Sequence, residues 1–160
     1  RKFEAVNAKI ARISMTYGPG IGLKDERVLA HFLRQALYEK KIVMLDGGSK
    51  IRTFCYIADC VLMLLYILIY GKGFVYNVGG KDSISIRSLA EEICLLTGST
   101  LSEEIACKET LQNVKVSPKL VKLDITKVCT EFPLPPFKPF REGLARTIEW
   151  NKAANGLPGF

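Results

Sequence analysis

Residues 60–70 read CVLMLLYILIY, eleven consecutive apolar side chains between Asp59 and Gly71. A bilayer-crossing helix takes about 20 such residues. The run is therefore too short to span a membrane and is expected as a buried core helix. Asp59 is placed to cap its start, and Gly71 to end it.

The flanking segments alternate between two periodicities. KIARISMTY (9–17) has the β-branched, apolar character of a strand and stops at GPGIG. DERVLAHFLRQALYEK (25–40) sets Val28, Leu29, Phe32, Ala36 and Leu37 on one face, which predicts an amphipathic helix with Asp25 as N-cap. KIVML (41–45) reads as a short strand halted by DGGS, and IRTFCYI as an extended segment. GFVYNVGG (73–80) is a further strand and turn. Ser85 is expected to cap a helix running to Thr97, with Ile86, Leu89, Ala90 and Ile93 inward and Gly98 closing it. Residues 99–123 carry little pattern and are expected as loop with one strand. A short helix capped by Asp124 (124–132), the rigid PLPPFKP connector and a final helix over 140–152 complete the chain. Strands alternating with helices define an α/β class.

At 160 residues, with 48% apolar and 24% charged side chains, the chain has the size and composition of about one soluble globular domain. The first ten residues hold no apolar signal segment, so a soluble, cytoplasmic protein away from the membrane is expected. Five cysteines, an odd number without a C-x-x-C pair, argue against a disulfide framework and against a zinc site. No metal ligand set is identified. The net charge of +7 favours an anionic partner. Lysines and arginines are scattered, without the basic stripe and exposed aromatics of a nucleic-acid binder. A nucleic-acid partner is therefore not expected.

Candidate chemistry is sparse. His31 is the only histidine, so a catalytic triad or a histidine-rich metal site would rest on one imidazole. GPGIG follows a strand but has neither the phosphate-loop nor the dinucleotide-binding spacing. Arg52 is more telling. It follows the Gly47-Gly48-Ser49 turn, beside Ile51 and Phe54, and a guanidinium matches two oxygens of a carboxylate or phosphate at once. The same residue could equally form an internal salt bridge to Asp59 or another acid.

The ordered set RISMTYGPG, DERVLAHFLRQAL, DGGSKIRTFCYIAD, VYNVGG and SISIRSLAEEI resembles the C-terminal half of extended short-chain dehydrogenases/reductases acting on nucleotide sugars, the NAD-dependent epimerase/dehydratase group. LDITK and FREGLARTIEW match as well, so the resemblance covers nearly the whole chain. The helix segment is most similar to UDP-glucuronate decarboxylases, with dTDP-glucose 4,6-dehydratases and UDP-sugar 4-epimerases close behind. The resemblance implies a Rossmann-type enzyme whose NAD-binding glycine turn and catalytic Tyr-x-x-x-Lys pair precede Arg1. The 160 residues would then be an inactive, substrate-gripping part, with no catalytic residue of its own. It implies residues 1–24 as the last part of the Rossmann-like domain, 25–152 as the substrate-binding α/β domain and 153–160 as a flexible tail. A UDP- or dTDP-sugar is the implied substrate, NAD the cofactor and a homodimer the assembly. A cut sheet edge is expected to leave an apolar face that self-association covers.

Residue by residue, the resemblance places Arg52 on the substrate diphosphate. It places Arg27, Val28, His31 and Phe32 along the nucleotide, with Arg27 also approaching NAD. Val43, Met44 and Leu45 form a strand whose edge faces the base, Thr16 lies near the nicotinamide, and Asn77 is a substrate-side residue or a brace of the Gly79-Gly80 turn. Two departures stand out. Met15 replaces a substrate-binding asparagine, and Val121 stands where a second diphosphate arginine is common, with Lys119 or Lys122 as substitutes. A non-enzymatic module binding a phosphorylated ligand or a protein is the competing reading.

Overall fold

The computed structural model describes residues 8–103 and 118–157. Its elements run β1 (Ile10–Ile13), β2 (Met15–Tyr17), α1 (Val28–Arg34, continued by a π-helical turn Gln35–Glu39), β3 (Lys41–Met44), β4 (Ile51–Tyr56), α2 (Ile57–Tyr70), β5 (Val75–Val78), β6 (Ser83–Ser85), α3 (Ile86–Thr97), β7 (Thr100–Glu103), β8 (Leu120–Val121), α4 (Thr126–Glu131) and α5 (Phe140–Ala154). The class is α/β, as expected. Within 99–123, where loop with one strand is expected, β7 and β8 are both strands. Residues 104–117 lie outside the described residues.

The strand expected over 9–17 is two strands serving two sheets. β1 pairs in parallel with β5, Ile10 facing Val75 and Ile13 facing Val78. After Ser14, β2 pairs in parallel with β4, Met15 against Phe54. β4 is the hub, taking β6 antiparallel and β8 parallel along its first residues, with Arg52 opposite both Ile84 and Val121. β3 pairs with β7.

Two cores follow from this division. One gathers Tyr17, Phe32, Leu33, Phe54, Leu89, Ile93, Leu144 and Ile148 from β2, α1, β4, α3 and α5. The other joins Cys55, Met63, Ile67, Tyr76, Val78, Val128 and Phe132 from β4, α2, β5 and α4. β4 alternates between them, Phe54 and Tyr56 entering the first and Cys55 the second, because successive strand side chains point to opposite faces. The four described cysteines are free thiols.

Three local expectations are corrected. Asp25 does not cap α1. Arg27 occupies the cap position, and Asp25 Oδ1 accepts its N–H at 2.8 Å, leaving the cap without a side-chain bond. Asp59 sits inside the first turn of α2, which starts at Ile57, and its Oδ2 accepts the Lys138 N–H at 3.0 Å. Asp124 accepts the Thr126 N–H from just outside α4, whose cap position is Ile125.

The apolar run is a helix that is only partly covered. Cys60, Met63 and Ile67 are buried, whereas Leu68 is 69% and Ile69 63% exposed. α2 packs on β2, β4 and β5 and meets Val128 and Phe132 at α4, so one stripe of it is enclosed. No described helix is long and apolar enough to cross a membrane.

Candidate ligand cavity around Arg52

A cavity of about 330 Å3 opens between α1, β3 and the start of β4, lined by Met15, Val28, His31, Phe32, Val43, Met44, Leu45, Asp46, Lys50, Arg52 and Ile86. Each wall has a local cause. α1 presents Val28, His31 and Phe32 because positions i, i+3 and i+4 share a helix face. β3 ends at Met44, and the turn that follows needs glycine. Gly48 lies at φ +67°, where a Cβ would fall 2.7 Å from the Arg87 nitrogen. That turn sets the entry of β4, and with it Arg52. Gln35, on the π-helical turn, accepts the Val43 N–H through Oε1 at 3.3 Å and ties helix to strand.

Arg52 is half-buried, and its Nη1 donates to the Ile51 carbonyl at 2.7 Å and to the Lys119 carbonyl at 3.4 Å. Asp59, the carboxylate offered as its internal partner, accepts from Lys138 and lines a different hollow. Lys50 Nζ meets Asp46 Oδ2 at 2.7 Å, and this contact is the main reason that the Asp46 carboxyl lies below its usual range.

His31 shares its Nδ1 with the Arg34 guanidinium at 2.8 Å. Arginine only donates, so Nδ1 accepts and the neutral ring carries its proton on Nε2. Burial first, and the Arg34 charge second, hold His31 below its ordinary pKa, against a weaker opposing pull from Glu39. Arg34 also donates to the Leu23 carbonyl at 3.3 Å, anchoring it to the preceding loop.

Eight of the residues singled out from the sequence thus share one cavity: Met15, Val28, His31, Phe32, Val43, Met44, Leu45 and Arg52. Thr16, Arg27 and Asn77 lie elsewhere. The Thr16 hydroxyl donates to the Ser14 carbonyl at 3.3 Å and faces the Cys60 sulfur. Arg27 is exposed, its Nε donating to Asp25 Oδ2 at 2.9 Å. Asn77 donates from Nδ2 to the Asp124 carbonyl at 2.8 Å, which braces β5 against α4 and not the Gly79-Gly80 turn. Asp46, Lys50 and Ile86 were not foreseen. Lys50 was within reach of sequence reasoning, since a residue two before Arg52 on an entering strand shares its face.

A larger hollow of about 600 Å3 lies along α2 and α4, walled by Leu62, Tyr66, Ile69 and Phe132. Its carboxylate, Glu131, already accepts from the Tyr76 hydroxyl at 2.7 Å and the Lys72 N–H at 2.9 Å. The Arg52 cavity has the better chemistry for an anion, because Lys50 and Arg52 both line it under apolar cover, whereas the larger hollow sets its one cation, Lys72, beside the Glu131 carboxylate.

Comparison with known proteins bears on the family of the chain. The NAD dependent epimerase/dehydratase family matches residues 1–79. UDP-glucuronic acid decarboxylase 1 of Xenopus tropicalis is 32% identical over 93% of the chain, and UDP-glucuronic acid decarboxylase 5 of Arabidopsis thaliana 30% over 87%. The chain spans only 34% and 39% of those two relatives. Among solved structures, dTDP-glucose 4,6-dehydratase of Bacillus anthracis, determined with NAD, superposes with a TM-score of 0.79 at 22% identity, over 96% of this chain and 48% of that one. UDP-glucuronic acid 4-epimerase of Bacillus cereus, in complex with UDP-glucuronic acid and NAD, gives 0.75 at 24%, over 91% and 45%. These matches lead to one assignment: the chain belongs to the NAD-dependent epimerase/dehydratase family, the extended short-chain dehydrogenases/reductases.

Proposed function

We propose that this chain is the substrate-binding portion of an NAD-dependent nucleotide-sugar enzyme of UDP-glucuronate decarboxylase type. The observation that supports this most is the convergence of eight sequence-selected residues on one cavity with Arg52 at its wall. Val28, Phe32, Val43 and Leu45 offer apolar cover to a base and ribose. The His31 Nε2–H offers a donor to a base carbonyl. Arg52 offers the fork that a diphosphate accepts. Uridine 5′-diphosphate linked to a sugar acid has this order of apolar, polar and anionic parts.

NAD is the hydride carrier that such a reaction uses. Thr16 and Arg27, the residues expected near it, share no described cavity. The chain's own residues are therefore assigned to gripping and orienting the sugar nucleotide, and catalytic proton transfer to groups outside it. Met15, at the cavity wall, replaces a polar contact with a thioether and makes the sugar end less polar.

Titration of the chain with UDP, dTDP and GDP, followed by backbone NMR shifts, tests the proposal. UDP is expected to perturb 28–32, 43–46 and 50–52 first. Absence of binding, or shifts confined to the α2–α4 hollow, would overturn it. If the ligand binds but no product forms once the remaining parts of such an enzyme are supplied, the non-enzymatic module is the better reading.

A further inference from the structure

We infer that Lys50 is the second cation of the diphosphate site and that Asp46 holds it in reserve, setting how tightly the anion is gripped. This rests on the reading that the cavity takes a nucleoside diphosphate.

Lys50 and Arg52 line the same cavity from alternate positions at the entry of β4. The backbone that carries Lys50 is pinned on both sides. Its carbonyl accepts the Ile86 N–H at 2.9 Å, and the Gly48 carbonyl accepts the Arg87 N–H at 2.9 Å. At Gly48 itself, a side chain would collide with the Met44 sulfur and the Arg87 nitrogen. The turn is thus a rigid base, and the lysine stem is the part that can swing.

Its present partner is weak enough to yield. The Lys50–Asp46 side chains are 29% and 39% exposed, the range in which ion pairs contribute little and exchange readily. An ammonium has three donors, and Asp46 takes one of them. Neither of the other candidate lysines is among the residues that line this cavity. Lys119 presents its carbonyl to Arg52, and Lys122 lines a separate hollow with Gly80, Lys81 and Thr126. Val121, directly across from Arg52 in β8, offers no charge. Asp46 also accepts the Gly48 N–H at 3.2 Å through its other oxygen, so the carboxylate stays in place when the ammonium leaves it.

The test uses the 160-residue chain and two probes, UDP and uridine, by calorimetry. Lys50→Met is expected to weaken UDP about tenfold, the size of one charge-assisted hydrogen bond, and to leave uridine unchanged. Asp46→Asn, which keeps an acceptor for Gly48, is expected to tighten UDP about threefold, as release of a surface ion pair allows. In the Lys50→Met background, Asp46→Asn should have no effect, which separates a released lysine from a general gain in positive charge. The inference fails if Lys50→Met spares UDP, or weakens UDP and uridine alike. It also fails if Asp46→Asn weakens UDP. Failure of the wild-type chain to bind UDP at all would remove the nucleotide site itself, a different result from loss of the lysine effect alone.

Discussion

Arg34 donates to His31 Nδ1 at 2.8 Å across one turn of α1. This contact fixes which face of the imidazole remains for a ligand, and it also opposes protonation.

His31 titrates below its ordinary value of 6.5 because of burial and the Arg34 charge, with Glu39 pulling weakly the other way. Between the folded value and 6.5 the unfolded chain binds the extra proton and the folded chain does not. The associated stability is therefore complete above 6.5 and is lost as pH falls through the folded value. His31→Gln, whose amide oxygen can still accept from Arg34, is expected to show a smaller drop in Tm than wild type between pH 7 and pH 5. Parallel melting curves for the two proteins would contradict this.

Arg52→Ala is expected to weaken UDP binding by about 1.5–3 kcal/mol, the range for hydrogen bonds to charged groups. Arg52→Lys should recover only part of the loss, since an ammonium cannot meet two phosphate oxygens in a planar fork. Isothermal titration of the three proteins measures both effects. Equal affinities would take Arg52 out of the site.

Ser85 Oγ accepts the Ser88 N–H at 2.9 Å and caps α3, whose Leu89, Ala90 and Ile93 are fully buried. Ser85→Ala is expected to cost about 1 kcal/mol in urea unfolding, and Ser85→Asp to preserve most of the stability. Because Ile86 begins the same helix and lines the cavity, the alanine variant should also loosen ligand binding.

Burial raises the Asp59 carboxyl above 3.8, against a smaller opposing contribution from the Lys138 N–H. The folded state therefore holds this proton more tightly than the unfolded chain does. Its contribution is fully present below 3.8 and is lost as pH rises through the folded value. Asp59→Asn keeps an acceptor for Lys138 and is expected to melt higher than wild type at pH 7. That advantage should shrink toward pH 4, as scanning calorimetry at the two pH values would show.

Helix α3 was legible from end to end. Ser85, the inward Ile86, Leu89, Ala90 and Ile93, and Gly98 at φ +69° stand where the residues alone place them. Capping and left-handed termination are decided within one turn of chain, so local residue identity suffices. The acidic residues were not legible in this way. Asp25 is held by Arg27, and Asp59 by a backbone amide 79 residues away, because a carboxylate takes whichever donor the fold brings nearest.

Along the chain itself, periodicity and turn residues determined the α/β class and most element positions, and the family resemblance of its motifs singled out the eight side chains, Arg52 among them, that line one cavity. The spacing of apolar and turn residues that marks each element is a property of the backbone repeat. Only the tertiary structure decided that residues 9–17 divide at Ser14 between two sheets, and that α2 buries a single stripe. It likewise decided that Thr16, Arg27 and Asn77 stand apart from the cavity while Lys50 and Asp46 join it. Strand partners, helix cover and ion pairs depend on which distant segments arrive alongside. Local pattern sets what a residue can offer, and packing sets what it meets.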